Sequence, residues 1–552
     1  MKAPVTYTRA QIGIAAPQVS VETHLTGGIP RFTIVGLPEV AVNESKERVR
    51  SALMNSQFEF PRNRITTNLA PADIPKSGGR YDLAIALGIL AASRQIPQAD
   101  LAEYEFAAEL GLSGELRPVS GILSVAIAAA KRGRKLVVAP ENAAEAMLLG
   151  DNEVYPCESL LAICEHLQGK VLLQQGVANE VRGQFPGAPA TNGVAGSGEL
   201  SSEGLAQKNS EVASGNPQAQ ICYQQAGETS SPSWAVQDLA DVCGHAQAKR
   251  VLAIAAAGRH SLLMVGSPGT GKSLLSQCLP GIMPELTQAE ALEVAAIHSL
   301  VKGSVDATRW RQAPFCAPHH TSSSVALVGG GKMPMPGLVS QAHCGVLFLD
   351  ELAEFRRDVL EALREPLETG FITVARASGH ITYPARFQLV AAMNPCPCGY
   401  LGDTQRDCYC SPQSVQRYQQ KISGPILDRI DMHVQVLPIP IKTLAQSQRE
   451  GFSSAEVREQ VGLARRYQQL RQGCVNSAIP QSQLHHYCVL APDAQELLEE
   501  AIDQLKLSPR SYHRLLRVAR TIADLAAVDS IGQDQIAEAM SYRNVLGSLF
   551  PH

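Results

Sequence analysis

The sequence contains no run of eighteen apolar residues, so no segment reads as a membrane-spanning helix. Its start carries no charged-then-apolar signal, and the two absences together lead us to expect a cytoplasmic protein without a membrane partner. An excess of positive charge is also missing: 48 Lys and Arg stand against 52 Asp and Glu, a net charge of −4. Bulk charge therefore does not advertise nucleic-acid binding, and any polyanion has to be met by a local basic lining. Thirteen cysteines are scattered over 552 residues, which in so long a chain argues for thiols or a metal site and against a disulfide framework. From about 181 to 233 large apolar residues are sparse and Gly, Ala, Ser, Gln and Asn dominate. That stretch reads as a flexible linker, because it cannot bury enough surface to offset chain entropy. The chain is too long for one core, so several domains are expected.

What is present begins with Gly266-Ser267-Pro268-Gly269-Thr270-Gly271-Lys272-Ser273. An apolar run, Ser261 to Val265, precedes it as a buried strand, and Ser273-Leu-Leu-Ser-Gln opens a helix after it. This is the strand–loop–helix setting of a phosphate-binding loop. Its glycines let backbone N–H groups curl around phosphates at the positive end of a helix dipole. Lys272 is expected to reach the β- and γ-phosphates of ATP and Ser273 to ligate Mg²⁺. A second buried strand, Gly345 to Leu349, ends in Asp350 and Glu351. Asp350 suits the Mg²⁺ shell, and Glu351 suits activation of the attacking water. A third strand, Phe387 to Met393, ends in Asn394, whose amide can orient that water or simply cap a turn. Arg429, in Ser423-Gly-Pro-Ile-Leu-Asp-Arg-Ile-Asp431, is placed to reach a neighbouring subunit's γ-phosphate. In the final helix, announced by Ser508-Pro509, Arg510, Arg514 and Arg517 share a face. Arg510 is the one expected to reach across the nucleotide as a second sensor.

Other stretches point to contacts with a polymer or a metal. The Gly- and Pro-rich segment Val325 to Gly337 predicts an exposed hairpin or loop with Lys332 at its tip. A second predicted hairpin spans Gly370–Arg376 and Ile381–Phe387. Lys332, Arg376 and Arg386 are therefore candidate DNA contacts in a pore. His319 and His320 lack companion cysteine spacing and are read as hydrogen-bonding residues near a subunit interface. Glu354 to Glu368 is expected to be helical up to a boundary at Pro366. Cys396, Cys398, Cys408 and Cys410 form C-x-C, nine residues, C-x-C. Four thiolates suit a structural Zn²⁺ with no open position, although the pairs are tighter than the usual C-x₂-C, and chance clustering or a redox dithiol is the alternative.

The first 180 residues mix strands (Phe32 to Gly36, Lys135 to Ala139) with packed helices (Asp82 to Ala92, Ile122 to Lys131), hence α/β. Here Pro75 to Asp82 and Gly114 to Gly121 resemble the Lon-protease-type (S5-like) fold, which works by a Ser/Lys dyad. Asp82 falls about where the serine would sit and Leu123 about where the lysine would, so no activated nucleophile is expected. Basic residues of its loops (Arg48, Arg50, Arg62, Arg64, Lys76, Arg80) are either phosphate contacts or solvated surface.

Taken together with Pro318-His-His-Thr321, Met393 to Gly399 and Gly424 to Asp431, the chain resembles the magnesium-chelatase-like branch of AAA+ ATPases, and within it the ComM/YifB family. The resemblance runs nearly end to end, the linker excepted. It implies a Lon-like N-terminal domain (1–180), the linker (181–233), an αβα AAA+ motor with the cysteine cluster at 396–410 (234–440), and a C-terminal helical lid (441–552). It further implies a homohexameric DNA helicase using ATP and Mg²⁺ for branch migration. The DNA would be single-stranded and branched or double-stranded, during natural transformation and homologous recombination, with recombination proteins as further partners. A protein unfoldase or remodeller and a chelatase-type motor subunit are the alternatives.

Overall fold

The computed structural model describes residues 3–150, 152–176, 237–306, 308–331, 334–376, 379–439, 452–505 and 508–543. The linker read at 181–233 and Lys332 lie outside the described residues.

The N-terminal part opens with β1 (Val5–Arg9), β2 (Gln18–Thr26), β3 (Arg31–Val35), α1 (Val40–Asn55), β4 (Arg64–Ala70) and α2 (Asp82–Ala92). Its strands are ordered β1-β2-β4-β3, antiparallel except for the β3–β4 pair. Alternation sets the buried face: Val19, Val21 and Thr23 of β2 and Ile65, Thr67 and Leu69 of β4 all point inward. α2 is apolar around nearly its whole circumference and is buried accordingly, from Asp82 through Ala91. It lies close on the sheet at Gly88, where a Cβ would stand 2.6 Å from Thr23 Oγ1. A parallel sheet, β5 (Tyr104–Ala107), β6 (Lys135–Val138) and β7 (Val154–Pro156), follows, with α3 (Ile122–Ala130) and α4 (Pro140–Ala146) between its strands.

Asp82 is fully buried and bound by two side chains of α1. Arg48 donates to it through Nε at 2.7 Å and Nη2 at 3.2 Å, and Ser45 donates its hydroxyl. Leu123 is fully buried, and the Arg80 guanidinium donates to Ser120 O at 2.9 Å, just before the helix that carries Leu123. Lys76 and Arg80 are buried, Lys76 on the carbonyl of Pro71, and Arg48 is engaged by Asp82. These three are thus neither free phosphate contacts nor solvated surface charges: interior acceptors take them. Arg50, Arg62 and Arg64 are exposed.

The central part comprises α5 (Ala246–Gly258), β8 (Leu262–Val265), α6 (Lys272–Ile282), α7 (Gln288–Lys302), β9 (Phe315–Cys316), β10 (Val346–Leu349), β11 (Phe371–Arg376), β12 (Gly379–Pro384), β13 (Gln388–Met393) and β14 (Met432–Gln435). β9-β10-β13-β8-β14 form one parallel sheet. Its central strands β8 and β10 are short continuous apolar runs, and β13 is one after Gln388, as a sheet covered on both faces requires. Leu262, Met264, Val346, Phe348, Val390 and Ala392 face a core shared with α5 and α6. Their alternating neighbours Leu263, Val265, Leu347, Leu349, Leu389 and Ala391 face a second core with Val359, Leu360, Ile426 and Ile430. β11 and β12 pair as the expected hairpin, with Arg376 opposite Gly379 at its tip. Gly329–Gly330 and Met335–Pro336 pair as another.

The helix expected from Glu354 to Pro366 is instead two, Arg357–Ala362 and Arg364–Thr369. Pro366 falls in the first turn of the second, where a missing N–H breaks no helical hydrogen bond. Among the described residues that follow are four longer helices: α8 (Ser454–Gln472), α9 (Pro492–Leu505), α10 (Pro509–Leu525) and α11 (Gln533–Ser541). Val457, Val461, Leu515, Leu516, Ile522 and Ile536 enter the same core as α5 and α6, so these helices lean on the central sheet's first face. α8 starts at a capping box, Ser453 with Glu456, and α10 at Ser508, whose hydroxyl accepts from Ser511 N.

Removing the buried Asp82 carboxylate leaves Arg48 and Ser45 without their acceptor. We expect Asp82→Ala to cost about 3 kcal/mol in urea unfolding followed by circular dichroism; an unchanged midpoint would show the network to be dispensable.

Candidate functional site

β8, β10 and β13 are adjacent and parallel, so their C-terminal ends open onto one edge of the sheet. The loop after β8 turns immediately into α6. Gly266 has no room for a side chain, since a Cβ would meet Val436 O at 2.2 Å. Gly269 and Gly271 adopt φ of +79° and +84°, which glycine tolerates at little cost. Thr270 Oγ1 ties the loop to Ser267 O at 2.9 Å. Lys272 is buried inside this turn and donates to Gly266 O at 2.8 Å, Ser267 O at 2.9 Å and Asn394 Oδ1 at 3.3 Å. Burial lowers its pKa, against the opposing pull of Asp350 and Glu351. An ammonium held on neutral oxygens in a glycine cradle fits a polyphosphate.

The acidic pair stands beside it. Ser273 Oγ donates to Asp350 Oδ2 at 2.5 Å, so the hydroxyl and carboxylate suited to Mg²⁺ are already in contact. Glu351 has φ +54° and its N–H bonds Asp350 Oδ1 at 2.9 Å. Its half-exposed carboxylate meets His320 Nδ1 at 3.0 Å. The His320 ring packs against that of His319, with 4.2 Å between centroids, and His319 in turn meets Thr321 Oγ1 at 2.8 Å. Sequence reasoning gave His320 a hydrogen-bonding role without a partner. The partner comes from a strand thirty-one positions on, and no local spacing announces it.

Arg429 and Arg510 are not brought to this edge. Arg429 precedes β14, at the end of the sheet marked by Ser261, whose hydroxyl donates to Arg429 O. The four-residue strand between puts about 13 Å between the two edges. Arg429 is only 6% exposed; it donates to Pro425 O at 2.6 Å and pairs with Glu368. Arg510 shares that carboxylate at 3.3 Å. Within one chain, then, Arg510 pairs beside Arg429 and does not reach across its own phosphate loop, because the start of α10 sits at the far edge. Arg514 is occupied by Asp431 at 3.0 Å, and Arg517 by Ile479 O at 2.7 Å. Asp431 is held below the usual carboxylate range by His260 and Arg514, against its burial.

Of the proposed DNA contacts, Arg386 is half exposed and paired with Glu293 at 2.8 Å. His343, buried behind it, donates to the same Glu293 at 2.8 Å and accepts from Arg386 N at 3.0 Å. For Arg376 only the backbone is described, at the hairpin tip.

The four cysteines converge. Sγ–Sγ distances are 3.3 Å for Cys396–Cys398, 3.7 Å for Cys396–Cys408 and 3.6 Å for Cys398–Cys408. With Cys410, all four sulfurs lie within 4.8 Å of one another. Four thiolates about 2.3 Å from a tetrahedral zinc stand about 3.8 Å apart, so the cluster fits Zn²⁺. Hydrogen bonds from Tyr400 N–H and the neighbouring thiols, against desolvation, pull the Cys398 thiol down to about 6. No helix among the described residues is long and apolar enough to cross a membrane.

Comparison with known proteins covers all of these parts. The family model "Magnesium chelatase, subunit ChlI" matches residues 238–444, "Subunit ChlI of Mg-chelatase" matches 21–142, and "Magnesium chelatase, subunit ChlI C-terminal" matches 451–543. The chain is 44% identical to competence protein ComM of Haemophilus influenzae over 545 residues, covering 98% of each. It is 43% identical to the uncharacterised protein YifB of Escherichia coli over 547 residues, 99% of this chain and 98% of that one. To magnesium-chelatase subunit ChlI-2 of Arabidopsis thaliana it is 25% identical over 197 residues, 32% of this chain and 42% of that one.

The hydrogen bond from His320 occupies a carboxylate oxygen of Glu351 that loss of the ring would free. His320→Ala is expected to raise phosphate release from ATP by about two- to tenfold, the worth of one such bond, with KM unchanged. A fall in kcat would give His320 the opposite role.

Proposed function

Because this chain belongs to the ComM and YifB family of magnesium-chelatase-like AAA+ proteins, we propose that it is an ATP-driven ring motor acting on DNA. Its task is branch migration while single-stranded DNA is integrated during natural transformation and homologous recombination, in the cytoplasm. The similarity to a protein named for competence, over the whole length of both chains, favours DNA as the polymer. Under this reading residues 1–180 are a Lon-like (S5-like) domain without its catalytic dyad, 181–233 a linker, 234–440 the motor and 441–552 the lid.

The observation that carries the reading is the split of the site between two edges of one sheet. Bound ATP with Mg²⁺ supplies the phosphoryl group to be transferred to water. Lys272 neutralises charge on the β- and γ-phosphates, and Ser273 with Asp350 holds the metal. Glu351 takes the proton of the attacking water, which Asn394 orients. Arg429 and Arg510 sit at the other edge, so in a closed ring they face the next subunit's nucleotide and stabilise charge there. A homohexamer satisfies that arrangement. Lys332 and Arg376 are the pore contacts for single-stranded or branched DNA, and Arg386 joins them by exchanging Glu293 for phosphate. Zn²⁺ on the four cysteines is structural, and recombination proteins are the natural partners.

The test is ATP-dependent branch migration of a synthetic three-strand junction. Wild type is expected to move it; Lys272→Ala and Glu351→Gln are expected not to. Hydrolysis that ignores DNA and moves no junction would turn the reading toward a protein remodeller or a chelatase-type motor subunit.

Action in trans has its own signature. Lys272→Ala and Arg429→Ala should each be inactive alone, yet mixing them should restore part of the ATPase rate, because some interfaces then join an intact Lys272 to an intact Arg429. Failure of every mixing ratio would assign Arg429 a role within its own chain.

A further inference from the structure

The four-cysteine loop does more than border the phosphate-binding loop; it is packed and hydrogen-bonded to it. Gly399, at φ +88°, lies against Pro268, so that a Cβ would come within 2.6 Å of Pro268 Cδ. Asp403, midway between the cysteine pairs, accepts the hydroxyl of Ser267 on one carboxylate oxygen. Its other oxygen accepts Gln405 N at 2.7 Å and Arg406 N at 3.1 Å, which fixes the carboxylate to the backbone of the cysteine loop. The loop's near end is the Asn394-Pro395-Cys396 junction, and Asn394 Oδ1 is an acceptor for Lys272 Nζ. Ser267 and Pro268 are thus supported from outside by two residues whose own positions depend on how the cysteine loop closes.

We propose that the four-cysteine cluster is a metal-dependent support for the nucleotide loop. Zinc on Cys396, Cys398, Cys408 and Cys410 closes the intervening segment, and Gly399 and Asp403 then hold Pro268 and Ser267 in the binding conformation. Nucleotide affinity therefore depends on metal content. Asp403 and Gly399 are positioning residues: neither supplies a group to the phosphates. The physical reason is loop closure. Without a cation nothing bonds the two cysteine pairs to one another, and separation of either pair frees the segment carrying Asp403. The inference rests on the reading of Gly266–Ser273 as the nucleotide loop.

The experiment measures two quantities on the full chain: zinc per chain by elemental analysis, and Kd for a fluorescent ATP analogue with Mg²⁺. Wild type should carry about one zinc per chain. Cys408→Ser should lose the metal and weaken nucleotide binding by about tenfold, the factor one charge-assisted hydrogen bond represents. Asp403→Ala should keep the metal and weaken binding by a similar factor, an outcome that a general folding role of zinc does not produce. Chelator-stripped wild type should behave as Cys408→Ser and recover on adding Zn²⁺, which keeps the test open if the serine variant does not fold. A wild-type Kd in the stripped protein or in Asp403→Ala overturns the proposal, as does a wild type that neither carries nor takes up zinc. Lys272→Ala separates the two levels. If it loses the nucleotide while the stripped protein keeps it, only the metal coupling fails; if it binds normally, the nucleotide-loop reading fails with it.

Discussion

Parallel register among three short strands is the constraint from which the rest of the molecule follows. Leu262–Val265, Val346–Leu349 and Gln388–Met393 are hydrogen-bonded neighbours running one way, so everything placed after them emerges together. The glycine turn, the acidic pair and Asn394 are such followers, and none of them needs a long excursion to meet. Because both faces of the sheet are buried, the strands have no freedom to slip: a shift by one residue would exchange the two apolar sets between the cores. The price of this rigidity is that the sheet has a second edge, and Arg429 and Arg510 are stranded there with Glu368.

Much of this could be read in the sequence because it is local. The loop from Gly266 to Ser273 needs its glycines at fixed offsets for backbone reasons, and the Val346–Leu349 run needs its apolar residues for burial. The paired spacing of four cysteines within fifteen positions also suggested a shared site, with chance clustering left open, and the structure brings them together. What stayed illegible depends on distant chain segments. Arg510 meets Glu368 across 142 positions and Arg386 meets Glu293 across 93. Interior acceptors claim three apparent surface cations, burying Lys76 and Arg80 and tying down the partly exposed Arg48. A side chain's charge is visible in a sequence, but whether an acceptor has already claimed it is not.

The same distinction separates the two ends of the chain. The N-terminal part holds its own apolar cores, whereas the four C-terminal helices complete a core that the central sheet begins. Val461, Leu515 and Ile522 pack with Leu252, Leu279 and Val434, so the phosphate-loop helix and the C-terminal helices share one hydrophobic interior.

Glu368 has a consequence of its own. Two guanidiniums rest on a single carboxylate, so that edge travels with a built-in counter-ion. A monovalent anion from solution would replace one negative charge with another and gain little. A group carrying several negative charges at once, presented at the right distance by an adjoining copy, can displace Glu368 and satisfy both arginines. Under the proposed ring reading the carboxylate is a valence filter, leaving an isolated chain indifferent to stray anions and an assembled one responsive to polyphosphate.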